Sequence, residues 1–201
     1  MHLAAILLAA GGSTRLGSPK QTLIYQGRSL LRRAAEGARA VVDGPVVAVL
    51  GAGAGEAAAE LAGLDVIATL NPEWERGMGG SVRVGMAQLD RLSSPAGFAL
   101  DGVLLLLCDQ PLVDAAVLAR LVAAFQTLDN LDGIAAAAYQ DTVGVPVLFG
   151  RSSFEDLRYL PEEAGAKGLL RRSAHRVVPV PMPEAGTDID TRAQYERLVR
   201  R

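Results

Sequence analysis

Val103–Pro111 reads VLLLLCDQP. Five aliphatic residues in a row, with no polar alternation, suit a strand covered on both faces, as in a parallel sheet flanked by helices. The run stops at a cysteine, a carboxylate, an amide and a proline. Similar short runs recur along the chain at Ala4–Ala9, Val46–Leu50, Asp65–Leu70, Gly133–Tyr139, Val145–Phe149 and Arg176–Val180. Helical patterns separate them. Ser29–Ala40 places Leu30, Leu31, Ala34, Ala35 and Ala38 near one face, and Asp114–Leu128 repeats Val117, Leu118, Leu121, Val122 and Phe125 at helical spacing behind a candidate cap, Asp114. Ala54–Ala62, Ser81–Leu92 and the closing TRAQYERLVRR complete the set. This alternation predicts an α/β fold with a mainly parallel central sheet, right-handed crossovers and flanking helices, becoming mixed toward the C-terminus. No fixed repeat or linker-like stretch interrupts it, so one domain is expected over residues 1–201.

Composition narrows the function. Half of the 201 residues are hydrophobic and 21% are charged, which supports a sizeable core. The formal net charge of −2 supplies no broad basic field for nucleic acid. The single cysteine, Cys108, precludes an internal disulfide and fits a reducing compartment. The N-terminal MHLAAILLAAGG lacks the basic start of a signal peptide, and its apolar run is too short for the roughly 20 residues of a membrane span. A buried strand is expected there, in a cytoplasmic protein with no membrane partner.

Open α/β sheets bind ligands beyond the carboxyl ends of their strands. That rule singles out the loop after Ala9, the loop after Leu70, CDQP, and the loops around Gly144 and Asp188. The first of these lies in Leu7–Gln21, LLAAGGSTRLGSPKQ. Gly11 and Gly12 permit close backbone approach to a ligand, and successive N–H groups form anion-binding nests. Arg15 and Lys20 add cationic donors. The plain alternative is an ordinary strand-to-helix turn with solvated charges. The Walker A pattern fails here, because Ser18 and Pro19 stand where Lys and Ser/Thr are required. GAGAGEAAAE after Val46–Leu50 imitates a dinucleotide fingerprint through Gly53, Gly55 and Ala58. No acid follows at the right distance, so a tight turn before a helix is the better reading.

Leu8, Ala9, Ala10, Gly11, Ser13, Arg15, Gly17 and Lys20 together resemble the nucleotidyltransferase signature of the molybdenum-cofactor cytidylyltransferase and guanylyltransferase group. GSPKQTLIYQGRSLLRRA, NPEWERGMGGSVRVG, CDQP, GVPVLF, GAKGLL and DIDT follow in that family's order. LAAG with PKQ is more similar to the cytidylyltransferase branch. The chain departs at Val145, where the family often has histidine, and at Lys167, where an arginine is expected.

The resemblance implies a Rossmann-like nucleotidyltransferase fold and transfer of CMP from CTP to the phosphate of molybdopterin, with pyrophosphate released. It implies a Mg²⁺ cofactor and leaves room for a molybdoenzyme or its maturation chaperone as recipient. It further implies that Leu8, Ala9, Ala10, Gly11, Gly12, Ser13, Arg15 and Lys20 bind the nucleotide together with Gly79, Gly80, Ser81 and Asp109. Arg15, Lys20 and Asp109 are the implied catalytic groups. Asp109 and Asp188 are the expected metal ligands. Asp190 remains open as the second ligand or as a cap for the last helix, with Thr191 as its first residue. Asn71, Trp74, Gly144 and Lys167 are expected near the acceptor; Trp74 either stacks on a pterin or packs its loop. Cys108 has no nearby histidine in the sequence and reads as packing. Other readings stay open: another NTP such as GTP, a sugar or isoprenoid phosphate acceptor, or a nucleotide-binding protein that delivers a cofactor.

Overall fold

The computed structural model describes residues 1–13, 16–96, 99–128 and 132–200. Its centre is a seven-stranded sheet. In chain order the elements are β1 (Leu3–Ala9), a short hairpin of β2 (Ile24–Tyr25) and β3 (Arg28–Ser29), α1 (Leu30–Val41), β4 (Val46–Leu50), α2 (Ala54–Glu60), β5 (Ile67–Leu70), α3 (Met78–Ala96), β6 (Gly102–Leu107), α4 (Ala115–Gln126), β7 (Ile134–Tyr139), β8 (Thr142–Gly150), α5 (Phe154–Arg158), α6 (Ala166–Arg172), β9 (Val177–Pro181) and α7 (Arg192–Val199). The sheet order is β5-β4-β1-β6-β8-β7-β9. β1 pairs in parallel with β4 and β6, β4 with β5, and β7 with β9. Only β8 reverses, running antiparallel to both neighbours. The expected mixing toward the C-terminus is this one strand.

The unbroken apolar runs become central strands because both faces are covered. Successive residues of β6 point to opposite faces. Leu104 and Leu106 join Leu7, Ala48, Leu31, Leu118, Leu121 and Phe125 on the face covered by α1 and α4. Val103 and Leu105 join Ile6, Val49, Val82, Met86, Leu89 and Phe154 on the other face, under α3 and α5. Each buried leucine contributes roughly 1.5–3 kcal/mol of transfer free energy. Two such layers on one sheet hold the carboxyl ends of β1, β4, β5 and β6 in fixed relation.

Local signals set the helix starts. Ser29 caps α1 by accepting from the Arg32 amide, and Asp114 caps α4 by accepting from Val117. The cap of α7 is Thr191, in a reciprocal capping box with Gln194, so Asp190 is released from the capping role weighed for it. Met78–Ser81 form the first turn of α3, which therefore begins before the Ser81 expected as its start. Gly53 adopts φ 65° as the N-cap of α2, the tight turn expected there. The hairpin β2–β3 and the short helices α5 and α6 have no counterpart in the sequence pattern. Among the described residues no helix is long and apolar enough to cross a membrane.

Candidate active site

The loop after β1 folds over a cavity of about 320 Å³ whose walls include Leu8, Ala9, Ala10, Gly11, Lys20, Gln21, Trp74, Ser81, Cys108 and Asp109. This brings the ends of β1 and β6 and the start of α3 to one place. At its base, Lys20 Nζ lies 2.8 Å from Asp109 Oδ2 and 2.9 Å from Asp190 Oδ1. Burial disfavours the ammonium charge, but Asp109 and Asp190 more than offset that effect and raise the Lys20 pKa above its ordinary value. Lys20 is therefore a cation at neutral pH, positioned before any ligand arrives. Asp109 Oδ1 is buried without a hydrogen-bond partner. Leaving such an atom unpaired is costly unless a ligand completes it.

Gln21, which the sequence reading passed over except as part of a motif match, is 1% exposed. Its Nε2 donates to Ala9 O at 2.7 Å and Gly11 O at 3.0 Å, turning those carbonyls inward. Ser13 closes the loop from its other end. Its φ is 51°, and its Oγ accepts from the Lys20 amide at 3.0 Å. Arg15 lies outside the described residues.

Trp74 packs the loop and lines the cavity at once. Its ring lies so close to Gly12 and Gly51 that an added Cβ would sit 2.7 Å and 2.6 Å from ring atoms. Asn71 is buried and internally satisfied. Its Nδ2 donates to Ser81 Oγ at 3.0 Å, and its Oδ1 accepts from the Glu73 amide at 3.1 Å. It therefore joins the turn after β5 to α3 rather than facing the cavity. Gly79 also has another partner: its amide donates to Glu162 O at 2.9 Å, and a Cβ there would sit 1.9 Å from Pro161 O. The glycine answers a close approach by the segment 161–164, and its N–H is not offered to a nucleotide.

Asp109 also borders a second, smaller cavity of about 160 Å³, with Gln110, Tyr139, Val145, Gly186, Asp188 and Asp190. Asp188 is exposed and makes no ion pair or hydrogen bond among the described residues. Burial raises the Tyr139 pKa, and the charges of Asp188 and Asp109 add to the shift. Gln110 spans Val145 O at 3.0 Å and Ala185 O at 2.8 Å, tying the end of β6 to β8 and to the chain before Asp188. Gly144 lies beneath Tyr139, whose hydroxyl would stand 2.8 Å from an added Cβ. Lys167 is elsewhere: it lines a separate groove with Thr142, Leu170 and Arg171. Gln21, Gln110 and Tyr139 escaped the sequence reading because a lone amide or phenol has no diagnostic spacing.

Among the described residues no three acidic, histidine or cysteine side chains converge into a closed metal cage. The residues present do fit an ion of the Mg²⁺ class, which binds through one or two carboxylates and leaves other positions to water and phosphate oxygens. The buried, unpartnered Asp109 Oδ1 with the unpaired Asp188 carboxylate is such a donor set. Cys108 does not add a nucleophile. Burial, reinforced by Asp109 and only partly countered by Lys20, pushes its thiol far up and keeps it neutral.

Residues 5–177 match the family model described as the MobA-like NTP transferase domain. The chain is 33% identical to nicotine blue oxidoreductase of Paenarthrobacter nicotinovorans, over 96% of this chain and 95% of that one. It is similar to the crystal structure of Rv0371c from Mycobacterium tuberculosis H37Rv, with 30% identity, a TM-score of 0.79, and coverage of 100% and 98%. The same mycobacterial protein in complex with manganese gives 26% identity and a TM-score of 0.75, covering 100% and 99%. A nucleotidyl transferase from Methanothermobacter thermautotroptrophicus shares the fold at 21% identity, with a TM-score of 0.77 and coverage of 99% and 96%.

Proposed function

The chain belongs to the MobA-like NTP transferase domain family, and from that premise we propose that it transfers CMP from CTP to the terminal phosphate of molybdopterin. An acceptor phosphate oxygen forms the new bond to the α-phosphorus, and the bond from that phosphorus to pyrophosphate breaks. The observation that carries the reading is Lys20, a cation fixed at the base of the cavity between Asp109 and Asp190, beside an unpartnered Asp109 oxygen. Phosphate transfer needs positioning and charge neutralisation more than a protein nucleophile. The site supplies the former, and Cys108, buried and held neutral, does not serve as the latter.

In this reading Leu8, Ala9, Ala10, Gly11, Gly12 and Ser13 border the nucleotide, with Gly80 and Ser81 across the cavity. Arg15 and Lys20 neutralise the triphosphate, and Lys20 Nζ meets charge developing in the transition state. Mg²⁺ held by Asp109 and Asp188 would share that neutralisation. The manganese complex of Rv0371c supports a divalent ion in this fold. The acceptor would approach past Trp74 and the second cavity, where Val145 stands in place of the family's frequent histidine, beside Tyr139. The preference for CTP rests on LAAG and PKQ.

The 33% identity to nicotine blue oxidoreductase favours a second reading, reduction of a conjugated aromatic substrate seated against Trp74. One experiment separates them. Purified protein and Mg²⁺ are incubated with each NTP and molybdopterin while pyrophosphate and dinucleotide are measured. Parallel samples receive nicotine blue and a reduced nicotinamide nucleotide. Pyrophosphate with CTP supports the proposal, and turnover with GTP alone reassigns the base. Dye reduction without pyrophosphate favours the oxidoreductase. Tight nucleotide binding without either reaction favours cofactor delivery.

A further inference from the structure

The family match ends at residue 177, yet the chain beyond it returns to the cavity. The Met182 amide donates to Ala138 O at 2.9 Å, and the Ile189 amide donates to Asp109 O at 3.0 Å. Ile189 is fully buried, in a small core with Leu16, Leu23, Leu30 and Leu198. Leu16 belongs to the glycine loop itself. Tyr195 Oη donates to Ile24 O at 2.7 Å, fastening α7 to the hairpin that follows the loop. Between these attachments Asp190 Oδ1 reaches Lys20 Nζ at 2.9 Å, while Gln194 Oε1 accepts from the Asp190 amide at 3.0 Å.

From this geometry we propose that Met182–Val199 is a brace for the glycine loop, and that Asp190 is the positioning residue that fixes Lys20 Nζ. Lysine has four rotatable side-chain bonds, and one carboxylate leaves the ammonium free to swing around it. Asp109 holds Nζ from β6 and Asp190 holds it from the C-terminal segment, so two contacts from separate parts of the fold define one position. The two neighbouring acids then divide their tasks. Asp190 is committed to Lys20, whereas Asp188, two residues away, is exposed and unpaired at the cavity edge. The positional claim rests on the geometry, and its kinetic consequence rests on the transferase reading.

The chain has two lysines, Lys20 and Lys167, so the exposed Lys167 serves as an internal reference. Wild type, Asp190→Ala, Asp190→Asn and Asp188→Ala are acetylated briefly with acetic anhydride at about pH 8, and both sites are quantified by mass spectrometry. Melting temperatures identify folded variants, and Asp190→Asn keeps an acceptor oxygen should the alanine variant unfold. The expected result is Lys20 labelling, relative to Lys167, raised about fivefold in Asp190→Ala, less in Asp190→Asn, and within about twofold of wild type in Asp188→Ala; loss of one of two fixing contacts sets that scale. With CTP, molybdopterin and Mg²⁺, Asp190→Ala should lower kcat about tenfold or more through misplacement of Nζ, leaving the half-saturating Mg²⁺ concentration unchanged. Unchanged Lys20 labelling in folded Asp190 variants overturns the proposal. So does an equal rise in Asp188→Ala, or a rise in the Mg²⁺ requirement without a labelling change. If wild type releases no pyrophosphate, the transferase reading fails while labelling still decides the brace.

Discussion

Lys20 sits in a partly desolvated place that burial alone would make hostile to its charge. Asp109 and Asp190 reverse that outcome and raise its pKa. A basic group with a raised folded-state pKa contributes stability that is complete below its unfolded pKa and lost as pH rises through the folded one. The stability difference between wild type and Lys20→Met should therefore be constant from neutral pH to the ordinary lysine value of 10.5, and should narrow only above it. Urea unfolding across that range checks the sign; a difference that fades between pH 7 and 9 contradicts it. Cys108 gives the opposite expectation. Its thiol is buried and neutral, so Cys108→Ala should keep kcat within about threefold of wild type, as a volume change in packing rather than the loss of a reacting group. A loss of several orders of magnitude would restore Cys108 to the chemistry. At this scale Lys20 was legible as a cation in a glycine-rich loop, and Asp109 as a carboxylate just beyond the most apolar strand. Asp188 and Asp190 were not separable, since two acids flanking one isoleucine look alike until the chain presents one of them to Lys20.

The glycines of α3 show how an element can hide its purpose. Gly79 and Gly80 are neighbours, yet an added Cβ at Gly79 meets Pro161 O at 1.9 Å, and at Gly80 nothing lies closer than 3.8 Å. Gly79→Ala should cost about 2 kcal/mol or more through overpacking, while Gly80→Ala should leave stability nearly unchanged. Thermal melts of the pair test this, and equal losses would refute the packing explanation. The need for glycine at position 79 was not legible, because the segment that presses on it lies more than eighty residues away and leaves no local trace. α7 carries a second expectation. Leu198→Ala removes a buried anchor from the small core around Leu16 and should cost about 2–3 kcal/mol. It should also raise KM for CTP, because Leu16 belongs to the glycine loop proposed to border the nucleotide. Lost stability with unchanged KM would separate the helix from the loop. Elements with a long apolar period, such as α1 and α4, were readable in position. α5 and α6 span too few turns to show a period.

Across the whole molecule, fully apolar strands announced a sheet buried on both faces, and the order of loops placed the cavity at their carboxyl ends. Mixing toward the C-terminus was readable, but not that β8 is the strand that reverses. A strand's own residues specify burial, whereas its direction depends on the hairpin to β7 and the pairing with β6. The same topology assembles a site from loops spread from Gly11 to Asp190, so that a cation, a half-buried carboxylate and an apolar wall meet at one cavity. Membership of the MobA-like NTP transferase domain family points to nucleotidyl transfer. Its most direct test is pyrophosphate release from CTP and molybdopterin with Mg²⁺, comparing wild type with Asp109→Asn. Wild type should release one pyrophosphate per dinucleotide formed, and the folded Asp109→Asn protein should be slower by about 10²-fold or more. Equal rates in the two proteins would remove Asp109 from the reaction, and no pyrophosphate from wild type with any nucleoside triphosphate would rule out nucleotidyl transfer.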